Sequence, residues 1–140
     1  MNKEFVMRGK TASGKTELLE FGGRKPGYGY RLTEFQLYAS TGIGSVNSEM
    51  AGSITAGKTA LDPTVPDFTN EGLIAVASLR MGTSINTPTF PNVIINDTFL
   101  ITQNLIISVI NTEAGTPVNW QCRFESVKMS GPEEAATNYK

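Results

Sequence analysis

The chain contains no histidine. That absence removes Ser-His-Asp and Cys-His nucleophile pairs, imidazole metal ligands and the usual general base near neutral pH. Its single cysteine, Cys122, cannot form a disulfide within the chain, and its place in an apolar-alternating run predicts a buried, inert thiol. Charge is also scarce. Charged residues make up 18% of the chain, below the usual quarter, with 12 basic and 13 acidic side chains giving a net charge of −1. The signs are interspersed and no basic run occurs, so direct nucleic-acid binding is not expected. Long apolar runs are missing too. The longest, Phe99 to Ile110, is broken by Thr102, Gln103 and Asn104 and is too short to cross a bilayer. Met1-Asn2-Lys3-Glu4-Phe5 has no apolar stretch of the secretory kind, so the expected place of assembly is the cytoplasm, with no membrane partner.

What is present is enough for one core. With 140 residues and 39% hydrophobic side chains, the chain has the length of one domain and too little net charge for disorder. A polar surface rich in Thr, Asn and Ser but poor in charge suits packing against other proteins, because few charges need desolvating. Period-two alternation dominates. In Val118-Asn119-Trp120-Gln121-Cys122-Arg123-Phe124-Glu125 every second residue is polar, which predicts a central strand with Val118, Trp120, Cys122 and Phe124 facing inward. The phase slips at Ser126 and again at Thr33-Glu34 within Tyr28–Tyr38, and both slips predict β-bulges. Further strands are expected at Phe5–Lys10, Lys15–Phe21, Met50–Ala56, Leu73–Leu79, Val93–Ile101 and Leu105–Ile110, punctuated by turn residues. About eight short strands imply an all-β fold, an antiparallel β-sandwich of jelly-roll-like form, occupying residues 1–130. Residues 131–140 form a short irregular C-terminal tail, with at most a helical turn around Pro132–Ala136. The stretches 40–48 and 57–70 are expected as long surface loops.

One segment invites a different reading. Gly9-Lys10-Thr11-Ala12-Ser13-Gly14-Lys15-Thr16 matches the phosphate-binding pattern G-x-x-x-x-G-K-[ST], in which backbone amides cradle phosphates and the lysine reaches their far end. That loop needs a buried strand before it and a full helix after it. Here Glu17 to Phe21 runs into Gly22-Gly23 within a few residues, so a hairpin turn at Ala12-Ser13-Gly14 is the expected structure. Asp62, Asp67 and Glu71 share a loop, but their spacing follows no calcium site and they are expected as solvated acids. Tyr28, Tyr30 and Trp120 could offer an aromatic platform to a sugar, although their strand phase favours packing. No catalytic, cofactor-binding or metal-ligating set emerges, and no cofactor or enzymatic activity is expected.

Several stretches together resemble small structural proteins of bacterial viruses of the marine-phage type. They are Arg8 to Gly14, Lys25 to Leu32, Ile94 to Gln103, Pro117 to Trp120, and Val127 to Ser130 followed by Glu133-Glu134-Ala135. The resemblance implies a jelly-roll-like sandwich in a capsid shell, vertex or decoration layer, localised to the virion and without catalytic residues. The favoured function is therefore a virion structural protein that self-associates symmetrically and contacts other capsid proteins. A glycan- or receptor-binding sandwich of a virion or tail is the first alternative, and a nucleotide-binding protein using Lys15 and Thr16 the second. Continuous apolar runs imply burial on both faces of a strand, which a small sandwich has difficulty supplying from one chain. A homo-oligomer, trimer or pentamer, is expected, with Val93, Ile95, Leu105, Ile107 and Val109 in its interface.

Overall fold

A computed structural model describes residues 3–21, 27–40, 48–57, 61–81, 90–113 and 116–128. The expected tail at 131–140, its helical turn and most of the 40–48 loop lie outside these residues. The described strands are β1 Glu4–Thr11, β2 Thr16–Leu19, β3 Tyr28–Ala39, β4 Ser48–Ala56, β5 Leu73–Met81, β6 Phe90–Ile95, β7 Leu105–Asn111 and β8 Val118–Lys128. They form two antiparallel sheets ordered β1-β8-β3 and β2-β7-β4-β5-β6, and these pack as a sandwich.

The pairing is nested. β1 pairs with β8, β2 with β7 and β4 with β5, so the chain is wound as a doubled-back ribbon in the jelly-roll manner. The remaining nested pair would join β3 to β6, but β6 pairs with β5 instead. Its place beside β3 is taken by one bridge, in which Tyr30 and Ile101 exchange N–H···O bonds of 2.9 and 2.7 Å. The cause lies in Asn96-Asp97-Thr98. Asn96 Oδ1 accepts the Thr98 N–H at 3.2 Å and the Thr98 hydroxyl at 2.7 Å, and this side-chain turn ends β6. The single strand expected from Val93 to Ile101 thus ends at Ile95, and Ile101 makes only an isolated bridge to Tyr30 of the other sheet.

β8 is central, as its alternation predicts, between β1 and β3, with Val118, Trp120, Cys122 and Phe124 buried. The bulge at Thr33 is present: the β3–β8 register moves from Leu32 opposite Phe124 to Glu34 opposite Arg123. It lets Leu32, Phe35 and Leu37 all face the core despite their odd spacing. The second expected bulge is not there. Pairing runs on through Tyr30–Ser126 to Tyr28–Lys128 without a break, and Glu125, Ser126 and Val127 are all half-buried. The apolar phase changes there because the strand end leaves the core, not because the ladder slips.

The core joins Leu32, Phe35 and Phe124 from one sheet to Met50, Ile54, Leu105, Ile107 and Val109 from the other. Phe5, Phe21, Tyr30 and Phe124 close one end of the sandwich as a cluster with ring centroids 5.1–6.3 Å apart. Phe21 is pinned there by its N–H, which donates to Asn104 Oδ1 at 2.7 Å.

Candidate functional site

The phosphate-loop look-alike is a structural joint. Gly9 lies opposite Trp120 in the β1–β8 ladder, and a β-carbon at Gly9 would sit 2.4 Å from Trp120 Cζ2. Trp120 Nε1–H donates to Thr11 Oγ1 at 2.9 Å, and the Thr11 hydroxyl donates to Glu17 Oε1 at 2.7 Å. Gly14 takes the left-handed conformation with φ 80°, which only glycine adopts without strain. Its N–H donates to Val109 O at 2.8 Å, and the Lys15 N–H donates to Ala12 O at 3.1 Å. The Ser13 hydroxyl donates to Asn111 O at 3.1 Å and accepts the Asn111 N–H at 2.8 Å. The amides of Gly14 and Lys15, which a phosphate would need, are therefore turned inward, and strand β2 follows where a helix would be required. The expected turn is present, but β1 and β2 lie in different sheets, so it is an arch across the sandwich rather than a hairpin. β1 instead pairs along its whole length with β8, and β2 along its whole length with β7.

Other candidate chemistry is likewise absorbed into structure. Asp62 accepts bonds from the Thr64 N–H and hydroxyl, and Asp67 from those of Thr69. These Thr hydroxyls, then the amides, hold both carboxyl groups below the usual range. No group of three potential ligands gathers around a metal position among the described residues. Burial pushes the Cys122 thiol up to about 12. Trp120 is buried and Tyr30 packs, half-buried, in the aromatic cluster, in keeping with the packing role that their strand phase favours.

The residues expected in an oligomer interface separate into two groups. Leu105, Ile107 and Val109 are fully buried within their own chain, because β7 lies between β2 and β4 and turns this row toward the opposite sheet. They cannot meet a partner, and their assignment to an interface is corrected. The outer row of β7 is covered only in part: Ser108 is buried, whereas Ile106 and Ile110 are half-buried. Ser53 Oγ–H donates to Leu61 O at 2.9 Å, tying the β4–β5 loop across the outside of the five-stranded sheet. Between that loop and the sheet runs a groove of about 560 Å³, lined by Pro63, Pro66, Phe68, Val76, Ile94 and Ile110 among others.

Val93 and Ile95 sit on β6, the edge of the sheet, where Val93 is partly exposed. Their neighbour Ile94 is 49% exposed and Phe68 across the groove 59%, two apolar side chains that sequence patterning did not single out. The Asn96 N–H donates to Ile74 O of β5, so by alternation the main chain of Pro91, Val93 and Ile95 points away from β5, where no described strand pairs with β6. The four sheet edges are guarded unequally. β1 carries Glu4, Arg8 and Lys10, β2 has only four residues, and β3 has its bulge and the Ile101 bridge. β6 carries no charge, and only Pro91 interrupts its donors.

The outer face of the three-stranded sheet is different in kind. Its cross-strand rows are Val6–Arg123–Glu34, Arg8–Gln121–Gln36 and Lys10–Asn119–Tyr38. Arg123 lies 3.3 Å from Glu34 and 3.8 Å from Glu4. Between the other two rows lies a shallow slot of about 530 Å³ whose lining includes Arg8, Gln36, Tyr38, Asn119 and Gln121. No family model matches the chain, and no curated protein matches it by sequence.

Proposed function

We propose that the chain is a virion structural protein, a capsid, vertex or decoration component that works by symmetric self-association and contact with other coat proteins. The observation that carries this reading is the uncharged β6 edge beside the exposed side chains of Ile94 and Phe68. An unguarded edge with an adjoining apolar surface is what soluble monomers avoid and what assembling subunits use. Jelly-roll winding supports the reading by analogy, since coat domains use it, although other functions share the fold. The resemblance of Arg8 to Gly14 and Ile94 to Gln103 to phage structural proteins points the same way. Val93 and Ile95 remain interface residues in this proposal, joined by Ile94 and Phe68. A closed trimer or pentamer requires the β6 edge of one copy to meet a different surface of the next.

Mass spectrometry of purified particles from the source tests the location: this polypeptide must be present at a stoichiometry fitting a symmetric shell or vertex. Its absence from particles, while abundant in infected cells, overturns the proposal.

A further inference from the structure

We propose that the slot on the outer face of the three-stranded sheet binds a carboxylate-bearing saccharide. This site is distinct from the β6 edge and does not depend on self-association. Three observations converge on it. Tyr38 is 57% exposed, and its ring offers an apolar face to the C–H side of a sugar ring. Gln36, Gln121 and Asn119 lie on adjacent strands around it, and amide side chains supply both donors and acceptors for neighbouring hydroxyls. Asn119 Nδ2–H is held by Ala39 O at 3.1 Å, which fixes the orientation of that amide.

Charge then narrows the ligand. Arg8 lines the slot, no acidic residue does, and neither Arg8 nor Lys10 beside it forms an ion pair among the described residues. Glu34 and Glu4, farther along the face, are drawn to Arg123 instead. A free guanidinium pairs best with a planar carboxylate, through two parallel hydrogen bonds. The slot volume falls within the range of small-ligand sites and suits one or two sugar rings.

The test is an array of sialylated and uronic-acid-containing oligosaccharides beside their neutral counterparts, followed by titration of the retained ones against the isotope-labelled chain. The expected result is retention of acidic saccharides, with saturable shifts in the side-chain amide signals of Gln36, Asn119 and Gln121. Tyr38→Ala and Arg8→Gln should each weaken binding about tenfold or more. Both positions are exposed, so their melting temperatures should match wild type, and melting curves separate lost binding from lost folding. Retention of no acidic saccharide overturns the proposal. So does binding that both variants leave intact, and so does equal retention of neutral and acidic forms.

Discussion

At the scale of the residue, the segment that looks most like a ligand site owes its letters to packing. Gly9 is glycine because the Trp120 indole occupies the space a side chain would fill, and Thr11 is hydroxylated because it both accepts from that indole and donates to Glu17. Gly9→Ala should therefore destabilise the chain by about 1–3 kcal/mol, as overpacking does. Lys15→Ala, at an exposed position, should stay within about 0.5 kcal/mol of wild type. Urea denaturation measures both, and the opposite ranking would mean that the motif serves something other than the arch. Cys122 makes a second residue-scale prediction. Its folded thiol keeps its proton up to about pH 12, whereas in the unfolded chain it ionises near pH 9. Between these values the folded state binds more protons, so this contribution to stability is complete below pH 9 and is lost as pH rises toward 12. The slope approaches about 1.4 kcal/mol per pH unit at most. The stability difference between wild type and Cys122→Ala should drift in that sense between about pH 9 and 11; a constant difference contradicts a protonated, buried thiol.

At the scale of the element, β8 and β3 govern the three-stranded sheet. β8 is flanked on both sides, and its inward row puts four side chains into the core. Removing the largest of them, by Trp120→Ala, should cost about 3–5 kcal/mol. The loss would also orphan Thr11 Oγ1 from its indole donor. The β3 bulge makes a sharper test. Thr33 is the extra residue that allows Leu32 and Phe35 both to face inward, and deleting it would turn either the half before or the half after toward solvent. The deletion variant should lose its dispersed amide spectrum, whereas Thr33→Ala, which keeps the residue count, should retain it.

At the scale of the whole molecule, three nested pairs tie the first strand to the last and, among the described residues, leave β6 as an edge strand. If self-association runs through that edge, a charge placed on it should block assembly without disturbing the core. Ile94→Lys and Val93→Lys, both at partly exposed positions, should leave the monomer melting as wild type does. In sedimentation velocity at micromolar concentration they should shift the chain toward monomer, by tenfold or more in dissociation constant for each roughly 1.4 kcal/mol removed. Wild-type chain that stays monomeric both free and on the particle, or variants that assemble unchanged, would remove β6 from the interface.

How much of this was legible beforehand follows from the range of each interaction. Alternation in Val118–Phe124 announced a half-buried strand because side chains on a pleated strand divide between two faces whatever lies around them. The slip at Thr33-Glu34 announced a bulge by the same rule, and the missing helix after Thr16 was visible in the run from Glu17 to Gly22. These are local facts, held within a few residues of sequence. Pairing is not local. Nothing near Ser13 reveals that its hydroxyl bonds Asn111, or that β1 and β2 part into different sheets. The apolar run Leu105–Ile110 suggested burial on both faces, but only its inner row is fully buried, while Ile106 and Ile110 on the outer row are half-buried. Tyr38, Gln36, Asn119 and Gln121 read in sequence as ordinary polar-face positions. Only the alignment of β3 against β8 sets them side by side around one slot, because strand register is decided by burying Phe35, Leu37, Trp120 and Phe124 on the opposite face.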